Sequence, residues 1–402
     1  MCSKDHEIDI IMWWASHWEW THYVPQQMAK QFSRNHRVLL INIPPILIKS
    51  LTPRRFKQFI RELLGSIKGP RRVGEKLWVH TPLPLVIPYG HIPVIDVLGK
   101  LLSWLEVKWR IKKLNFKGKV WCIYNPFYIW LRGLKNASKD GVIIYDILDE
   151  WPSISSKFPW KRSYMRRVER KLASLNAIFI ACSLPLKEKK SRELKARTFF
   201  LPPGVDIALY KKALDPHVSI PDDVKKIKKP IIGYIGTMSN MKIDWELIHF
   251  LALKRSEWSF VFIGPIADRI SPEICNLGNI FFLGRKPIDT LPSYLKAFDV
   301  AIIPFRQNTF GQFAFPTKVF EYLSSGKPIV STNLPALRGF HPLIRIGEDK
   351  HQFLKLIEEA LAEKGEYFQE RVNLAHKHTW ENRAIAILNI IKEFLHAKKP
   401  FA

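Results

Sequence analysis

An α/β chain of two domains, each a parallel sheet flanked by helices, is what this sequence predicts, and three observations predict it. At 402 residues the chain is long enough to bury two full cores. Apolar runs such as 8–14 and 37–43 alternate with helical segments at the length of βαβ units. A Lys-rich stretch from Asp215 to Pro230, with Pro221 inside it, separates two such series. The expected layout is an N-terminal Rossmann-like domain over 1–212 and a second over 213–380. A helix over 381–402 then packs back toward the first. With 47% hydrophobic residues the whole chain should be globular rather than disordered.

Taken in order, 8–14 reads as the first strand of a parallel sheet, followed by a Trp-rich loop carrying His17 and a helix over 25–34. Loops after strand C-termini are where such sheets hold ligands, so His17 is a site candidate; the alternative is a packing histidine. Arg37 to Ile43 is the second strand, ended by Pro44 and Pro45. Residues 49–76 carry nine Lys/Arg against two Glu, with Phe56, Phe59, Ile60, Leu63 and Leu64 at helical spacing. That pattern is a basic amphipathic helix, suited to an anionic bilayer or to a solvated face over an ordinary core stripe. Residues 77–95 lack charge but contain four prolines and Gly90, which predicts an irregular buried or interfacial segment rather than a spanning helix. A second basic, Trp-bearing helix covers 94–114, and a third basic cluster lies at 157–171. Strands follow at 120–124, 142–147 and 177–181, and the middle one leads into Asp149, Glu150 and Trp151. Residues 201–206 read as a short strand and turn before the domain boundary, and 380–395 as a last amphipathic helix.

Charge divides the chain. Residues 1–200 hold 36 Lys+Arg against 15 Asp+Glu, and residues 201–402 hold 27 against 21. A half that basic points to an anionic partner: membrane surface, lipid pyrophosphate or nucleic acid. Cys2, Cys122, Cys182 and Cys275 are far apart and form no CxxC pair, which argues against a zinc site and against a disulfide framework. The polar, acidic start shows no signal peptide, so the expected location is cytoplasmic and reduced.

The chemistry concentrates between Asn308 and Leu337. Pro316 sets φ for a first helical turn, Val319, Phe320 and Leu323 form an apolar stripe, and Gly326 and Pro328 end the helix. Ile329 to Thr332 is the next buried strand. Lys318 and Glu321, three apart, project from one helix face. Lys318 can place a full charge on a phosphate and Glu321 can accept from a ribose diol; the alternative is a surface helix with an i,i+3 ion pair.

The run P-x-K-x-x-E-Y-L-x-x-G-K-P-I-V-S-T over Pro316–Thr332 resembles the donor-site signature of GT-B glycosyltransferases of the group 1, family-4-like kind. Gly233-Tyr-Ile-Gly236-Thr237 with Lys242, Asp244 and Leu247 is similar to that family's first C-domain strand and phosphate loop. Runs at 259–265, 282–285 and 298–305 fall in the family's order, so the resemblance covers about 230 to 340. It implies an interdomain cleft, Gly236 and Thr237 bringing backbone amides to phosphates, Lys242 and Lys318 supplying charge, and Arg285 near the base. Pro316 and Glu321 complete the implied donor set. It further implies a metal-independent hexosyl- or glucuronosyltransferase with no bound cofactor. Its co-substrate would be a nucleotide sugar, UDP-linked, and its acceptor a lipid-linked or glycan molecule at the inner face of the plasma membrane. One departure stands out: many family-4 members carry two glutamates eight apart, and eight before Glu321 is Phe313. Membrane-associated glucuronosyltransferases of bacterial exopolysaccharide pathways are similar in lacking the first, and the chain as a whole resembles membrane-associated bacterial exopolysaccharide and teichuronic-acid type sugar transferases.

An inverting enzyme needs a base at an N-domain strand end, and His17, Asp149 and Glu150 are the candidates. Tyr145-Asp-Ile-Leu-Asp149-Glu-Trp151 resembles a Y-D-x-x-D-x-W segment of similar transferases; Asp149 as a helix cap is the alternative. No DxD, HxxxH or Cys/His cluster indicates a metal, and no nucleic-acid-binding signature accompanies the charge. A catalytically silent GT-B scaffold and a basic nucleic-acid binder are the competing classes.

Overall fold

The computed structural model describes residues 7–13, 18, 24–42, 53–83, 93–125, 130–154 and 159–397. The chain divides into two compact units. The first comprises Met1–Cys182, Lys187–Leu201 and Ala384–Ala402, and the second comprises Ser183–Leu186 and Pro202–Arg383.

The first unit is built on eight strands: β1 (Asp9–Trp13), β2 (Arg37–Ile41), β3 (Arg71–Gly74), β4 (Leu77–His80), β5 (Val120–Ile123), β6 (Val142–Ile147), β7 (Ile178–Ala181) and β8 (Thr198–Phe200). Their order is β3-β4-β2-β1-β5-β6-β7-β8, and every pair is parallel except β3 with β4. The central strands β1, β5, β6 and β7 are buried along their whole length, as expected of a parallel sheet covered on both faces. Trp104 and Trp121 stack at 5.0 Å with Trp13 beside them, and Gly133 sits so close to Trp104 that a Cβ there would lie 2.1 Å from the ring. A glycine is what lets the helix Leu131–Asp140 approach the tryptophans.

The basic helix expected over 49–76 is shorter. It spans Pro53–Lys68 and stops at Gly69, whose φ of +92° and contact with Arg110 exclude a side chain. Beyond it the chain forms the β3–β4 hairpin. Arg72 lies over the Trp78 ring at 5.5 Å and Arg37 approaches the same ring at 5.7 Å, so cation–π contacts help hold this exposed, positively charged edge. The uncharged stretch 77–95 thus opens with a strand and ends in the helix Pro93–Lys113, while 84–92 lies outside the described residues. β8 replaces the short strand expected at 201–206, where Val205 instead bridges to Thr379. No helix among the described residues is long and apolar enough to cross a membrane.

A buried ion cluster closes the side of this unit behind β6. The Lys190 ammonium is fully buried and lies 2.7 Å from a carboxylate oxygen of each of Glu150 and Glu169. Glu169 also accepts from the Tyr145 hydroxyl at 3.3 Å. Burial pushes the Glu169 carboxyl up, against the pull of Lys190.

The second unit holds six parallel strands: β9 (Ile231–Ile235), β10 (Ser259–Ile263), β11 (Ile280–Gly284), β12 (Val300–Ile303), β13 (Ile329–Thr332) and β14 (Ile344–Gly347). The order β11-β10-β9-β12-β13-β14 reverses direction between β9 and β12. In open α/β sheets that reversal leaves a crevice beyond the strand C-termini, and ligands bind there.

Candidate functional site

Three polypeptide segments meet at the switch point of the second unit. β9 ends at Ile235 and runs into Gly236, whose N–H donates to the Ile263 carbonyl at 2.8 Å. Gly236 has φ +152°, and a Cβ on it would fall 2.9 Å from the Tyr234 hydroxyl and 3.2 Å from the Lys318 Nζ. The neighbouring strand end repeats the device. Gly264 has φ +139°, and a Cβ there would lie 2.1 Å from the Gly236 carbonyl oxygen. Only glycines allow these two loops to pack together and Lys318 to close over them. Thr237 follows, half-buried, with its carbonyl accepting from the Tyr234 hydroxyl at 3.2 Å.

Lys318 opens the helix Lys318–Leu323 and is buried. Its ammonium sits 4.9 Å from the Tyr234 ring centroid and 4.8 Å from that of Phe305. Among the described residues it has no hydrogen-bond or ion-pair partner. Burial, reinforced by Lys242 and opposed by Glu321, pushes the Lys318 amine down to about 7. Glu321, on the same helix, is shifted upward by burial, with Lys318 and the Tyr210 hydroxyl pulling the other way. Lys242 is half-buried with its Nζ 5.5 Å from the Phe310 ring, and its carbonyl accepts from the Arg306 N–H at 2.7 Å. A poorly hydrated, uncompensated ammonium is costly, and an anion delivered to it removes the cost.

Tyr322 fixes the helix to the loop. Its fully buried hydroxyl accepts from the Ile235 N–H at 2.7 Å and donates to the Ile235 carbonyl at 3.4 Å. The last residue of β9 is thereby tied to the helix that carries Lys318 and Glu321. Pro316 is buried and its carbonyl accepts from Val319, so it opens a turn, but the helix itself starts two residues later than the proline suggests. Before it, the helix Thr309–Phe313 is capped by Asn308, which accepts from Gly311 and donates to the Met241 carbonyl. Phe313 ends that helix, half-buried, and its carbonyl accepts from Ser183 Oγ at 2.6 Å.

The structure therefore brings together Gly236, Thr237, Lys242, Lys318 and Glu321. Arg285 is exposed beyond β11, next to a Lys286–Asp223 ion pair of 2.5 Å, and the Gly284 carbonyl before it accepts from the Gly264 N–H at 2.8 Å. Tyr234, Phe305 and Tyr322 were not visible as site residues in the sequence. An aromatic in a strand or on a helix's apolar stripe carries the signal of a core residue.

In the first unit, Asp149 and Glu150 follow the C-terminus of β6, ahead of the short helix Trp151–Ile154. Asp149 is half-buried and its carbonyl accepts from the Trp151 N–H at 2.9 Å. Glu150 is buried and held by Lys190 and, at 3.4 Å, by Lys189. Two lysine ammonium groups thus lie against the Glu150 carboxylate. His17 lies outside the described residues.

A two-domain α/β protein with this strand order and a glycine–lysine crevice at the switch point has the GT-B architecture. Residues 229–365 match the model of the family described as Glycosyl transferases group 1, so this stretch is similar to that family. The chain is 29% identical over 266 residues to a Bacillus subtilis (strain 168) protein, TuaH, named for a glycosyltransferase role in teichuronic acid biosynthesis. The match spans 59% of this chain and 64% of that relative, so the chain covers under two thirds of it. Among solved structures it resembles sucrose-phosphate synthase from Thermosynechococcus elongatus, with a TM-score of 0.69, 14% identity and coverage of 97% and 100% of the two chains. A trehalose 6-phosphate synthase from Burkholderia multivorans gives a TM-score of 0.70 at 10% identity over 98% of this chain and 100% of that one. Anabaena HepE in complex with UDP gives 0.65 at 13% identity over 96% and 100%. At these identities the likeness establishes the fold.

Proposed function

We propose that the chain transfers a sugar from a nucleoside diphosphate sugar, UDP-linked, to a lipid-linked or membrane-proximal saccharide in cell-surface glycan synthesis. The observation that carries this reading is Lys318: a buried ammonium held between two aromatic rings against a glycine loop at the switch point of the second sheet. Breaking the bond between the sugar carbon and the diphosphate leaves negative charge on the phosphate oxygens. Lys318 and Lys242 meet that charge in a poorly solvated site, where a fixed cation is worth most. They supply in this reading the positive charge that a metal ion supplies in other transferases. Glu321 accepts from the ribose hydroxyls, and Gly236 and Thr237 let backbone approach the phosphates. If the reaction inverts, Asp149 takes the proton of the acceptor hydroxyl. HepE was solved with UDP, and the TuaH name attaches that relative to teichuronic acid biosynthesis; both support the choice of donor and acceptor class. The transferred sugar is a hexosyl or glucuronosyl group. The protein works at the cytoplasmic face of the plasma membrane, as the basic first half suggests.

The test is a nucleotide-sugar panel read twice on the full chain. A ligand that binds only the folded protein raises its melting temperature. UDP-sugars should do so, and release of UDP should follow when a lipid-linked saccharide is added. No shift with any nucleotide sugar would refute the reading. A shift without UDP release across a broad acceptor set would instead mark a silent scaffold, the alternative that Phe313 in place of a carboxylate keeps open.

A further inference from the structure

Two helices of the first unit turn apolar side chains to solvent along regular stripes. On Pro53–Lys68, Ile60, Leu64 and Ile67 follow an i, i+4, i+7 spacing and are 38 to 59% exposed. On Pro93–Lys113, Leu98, Leu102, Leu105 and Trp109 follow the same spacing for one turn more and are 42 to 53% exposed. Each helix already has a separate buried side, through Phe59 and Ser66 in the first and Trp104 and Val107 in the second. The stripes are therefore surplus to the core.

They belong to one surface. The Arg110 guanidinium donates to the Ser66 and Ile67 carbonyls at 3.3 and 3.4 Å, and lies 4.5 Å from the Trp109 ring. Arg110 thus ties the Ile67 end of the first helix to the Trp109 end of the second. The rim is cationic. Lys57, Arg61 and Lys68 are exposed on the first helix, and Lys108, Lys112 and Lys113 on the second. Among the described side chains of the two helices the carboxylates are Glu62 and Glu106, both half-buried, and Glu106 is paired with His80 and Arg110.

We propose that these two stripes form a docking surface for an anionic lipid bilayer, the apolar side chains entering the headgroup region and the lysines and arginines pairing with lipid phosphates. The proposal rests on the transferase reading for the acceptor such a surface would reach. Charge decides the occupant. A second copy bound through the same patch would set these cations against one another, and a nucleic acid would leave the Leu, Ile and Trp side chains in water. An anionic bilayer satisfies both features, and Trp109 between Arg110 and Lys113 is the kind of side chain that settles at a membrane interface.

The experiment is co-sedimentation of the full chain with vesicles of phosphatidylcholine alone or mixed with phosphatidylglycerol, alongside calorimetry of UDP on the same samples. The exposed triple variant Leu64→Gln, Leu102→Gln, Leu105→Gln and the triple Lys108→Glu, Lys112→Glu, Lys113→Glu are compared with wild type. The expected result is binding to mixed vesicles that falls with salt, about tenfold weaker binding in each triple variant, and unchanged UDP affinity. The proposal fails if wild type binds both vesicle types equally at low salt, or if the glutamine variant binds like wild type. It fails equally if those glutamines only convert a dimer to a monomer, or if a nucleic acid but no vesicle retains the chain. The two readings separate cleanly: vesicle binding with no response to any nucleotide keeps the surface and removes the transferase, and the converse does the opposite.

Discussion

Lys318 is the residue on which the site turns, and its environment makes quantitative demands. Replacing it with alanine should weaken UDP binding by about 1–3 kcal/mol, the scale of a charge-assisted hydrogen bond. Glu321→Gln should raise KM for the nucleotide sugar more than it lowers kcat. Unchanged UDP affinity of both variants by calorimetry would remove the assignment. The depressed amine also predicts a pH effect of definite sign. Burial disfavours the charged form, so the folded protein releases this proton near pH 7, well before the unfolded chain does. Between about 7 and the ordinary lysine range the unfolded state holds more protons, and this group's penalty on stability is relieved as pH rises. A diphosphate reverses the preference. UDP binding near pH 8 should therefore take up a proton, visible as a dependence of the calorimetric heat on buffer ionisation enthalpy, and Lys318→Ala should abolish it. Asp149 asks for a different readout. As a general base, its change to Asn should leave UDP affinity intact while kcat falls about 10²–10⁴-fold; wild-type turnover would shift the role to His17 or Glu150, or to a retaining mechanism without a protein base. Lys318, Glu321 and Gly236 could be named from the sequence through the ordered run of motifs they belong to, since a charge or a glycine at one strand–helix junction is weak evidence on its own. The ion pairs of Glu150 were not legible, since nothing in the chain's order shows that Lys190, forty residues on, lies 2.7 Å away.

At the scale of elements, the site depends on two junctions rather than on single side chains. One is the Tyr322 hydroxyl on both backbone groups of Ile235. Tyr322→Phe leaves a buried N–H without its partner and should cost about 1–3 kcal/mol of stability. The other is the contact of Gly264 with the Gly236 carbonyl. Alanine at 264 meets a left-handed φ and an oxygen at 2.1 Å, so a loss of about 3 kcal/mol or more is expected in urea unfolding. A loss below 1 kcal/mol would mean the two loops separate without consequence. Elements with strong periodicity were readable: β6 matches its expected limits, and β13 falls on Ile329 to Thr332. The β3–β4 hairpin was not, because Arg71, Arg72, Glu75 and Lys76 continue the charge of the preceding helix. What ends that helix is the left-handed Gly69 lodged against Arg110, a long-range contact. The stripes on the two basic helices were likewise half-legible. Their spacing predicts an amphipathic helix, but which apolar face is left in water is decided by packing partners distant in sequence.

For the whole molecule, the two-domain reading follows from length and the alternation of strands and helices, and the sequence places the last helix back toward the first domain. From residue 384 onward it belongs to the first unit, where Ile387 and Ile391 are buried and Arg197 lies 4.7 Å from the Phe394 ring. Removing 384–402 should therefore destabilise the first unit and spare the second: limited proteolysis should cut within 7–182 while UDP binding persists. Preferential cleavage within 202–383 would contradict this. The same discontinuity has a consequence for synthesis. As the chain leaves the ribosome, every segment of the second unit has emerged by Arg383, while the first, started hundreds of residues earlier, still lacks its closing helix. The unit begun first is thus completed after the second, when residues 384–402 emerge. That interval is when an anionic surface or a chaperone has the longest access to the basic half of the nascent protein.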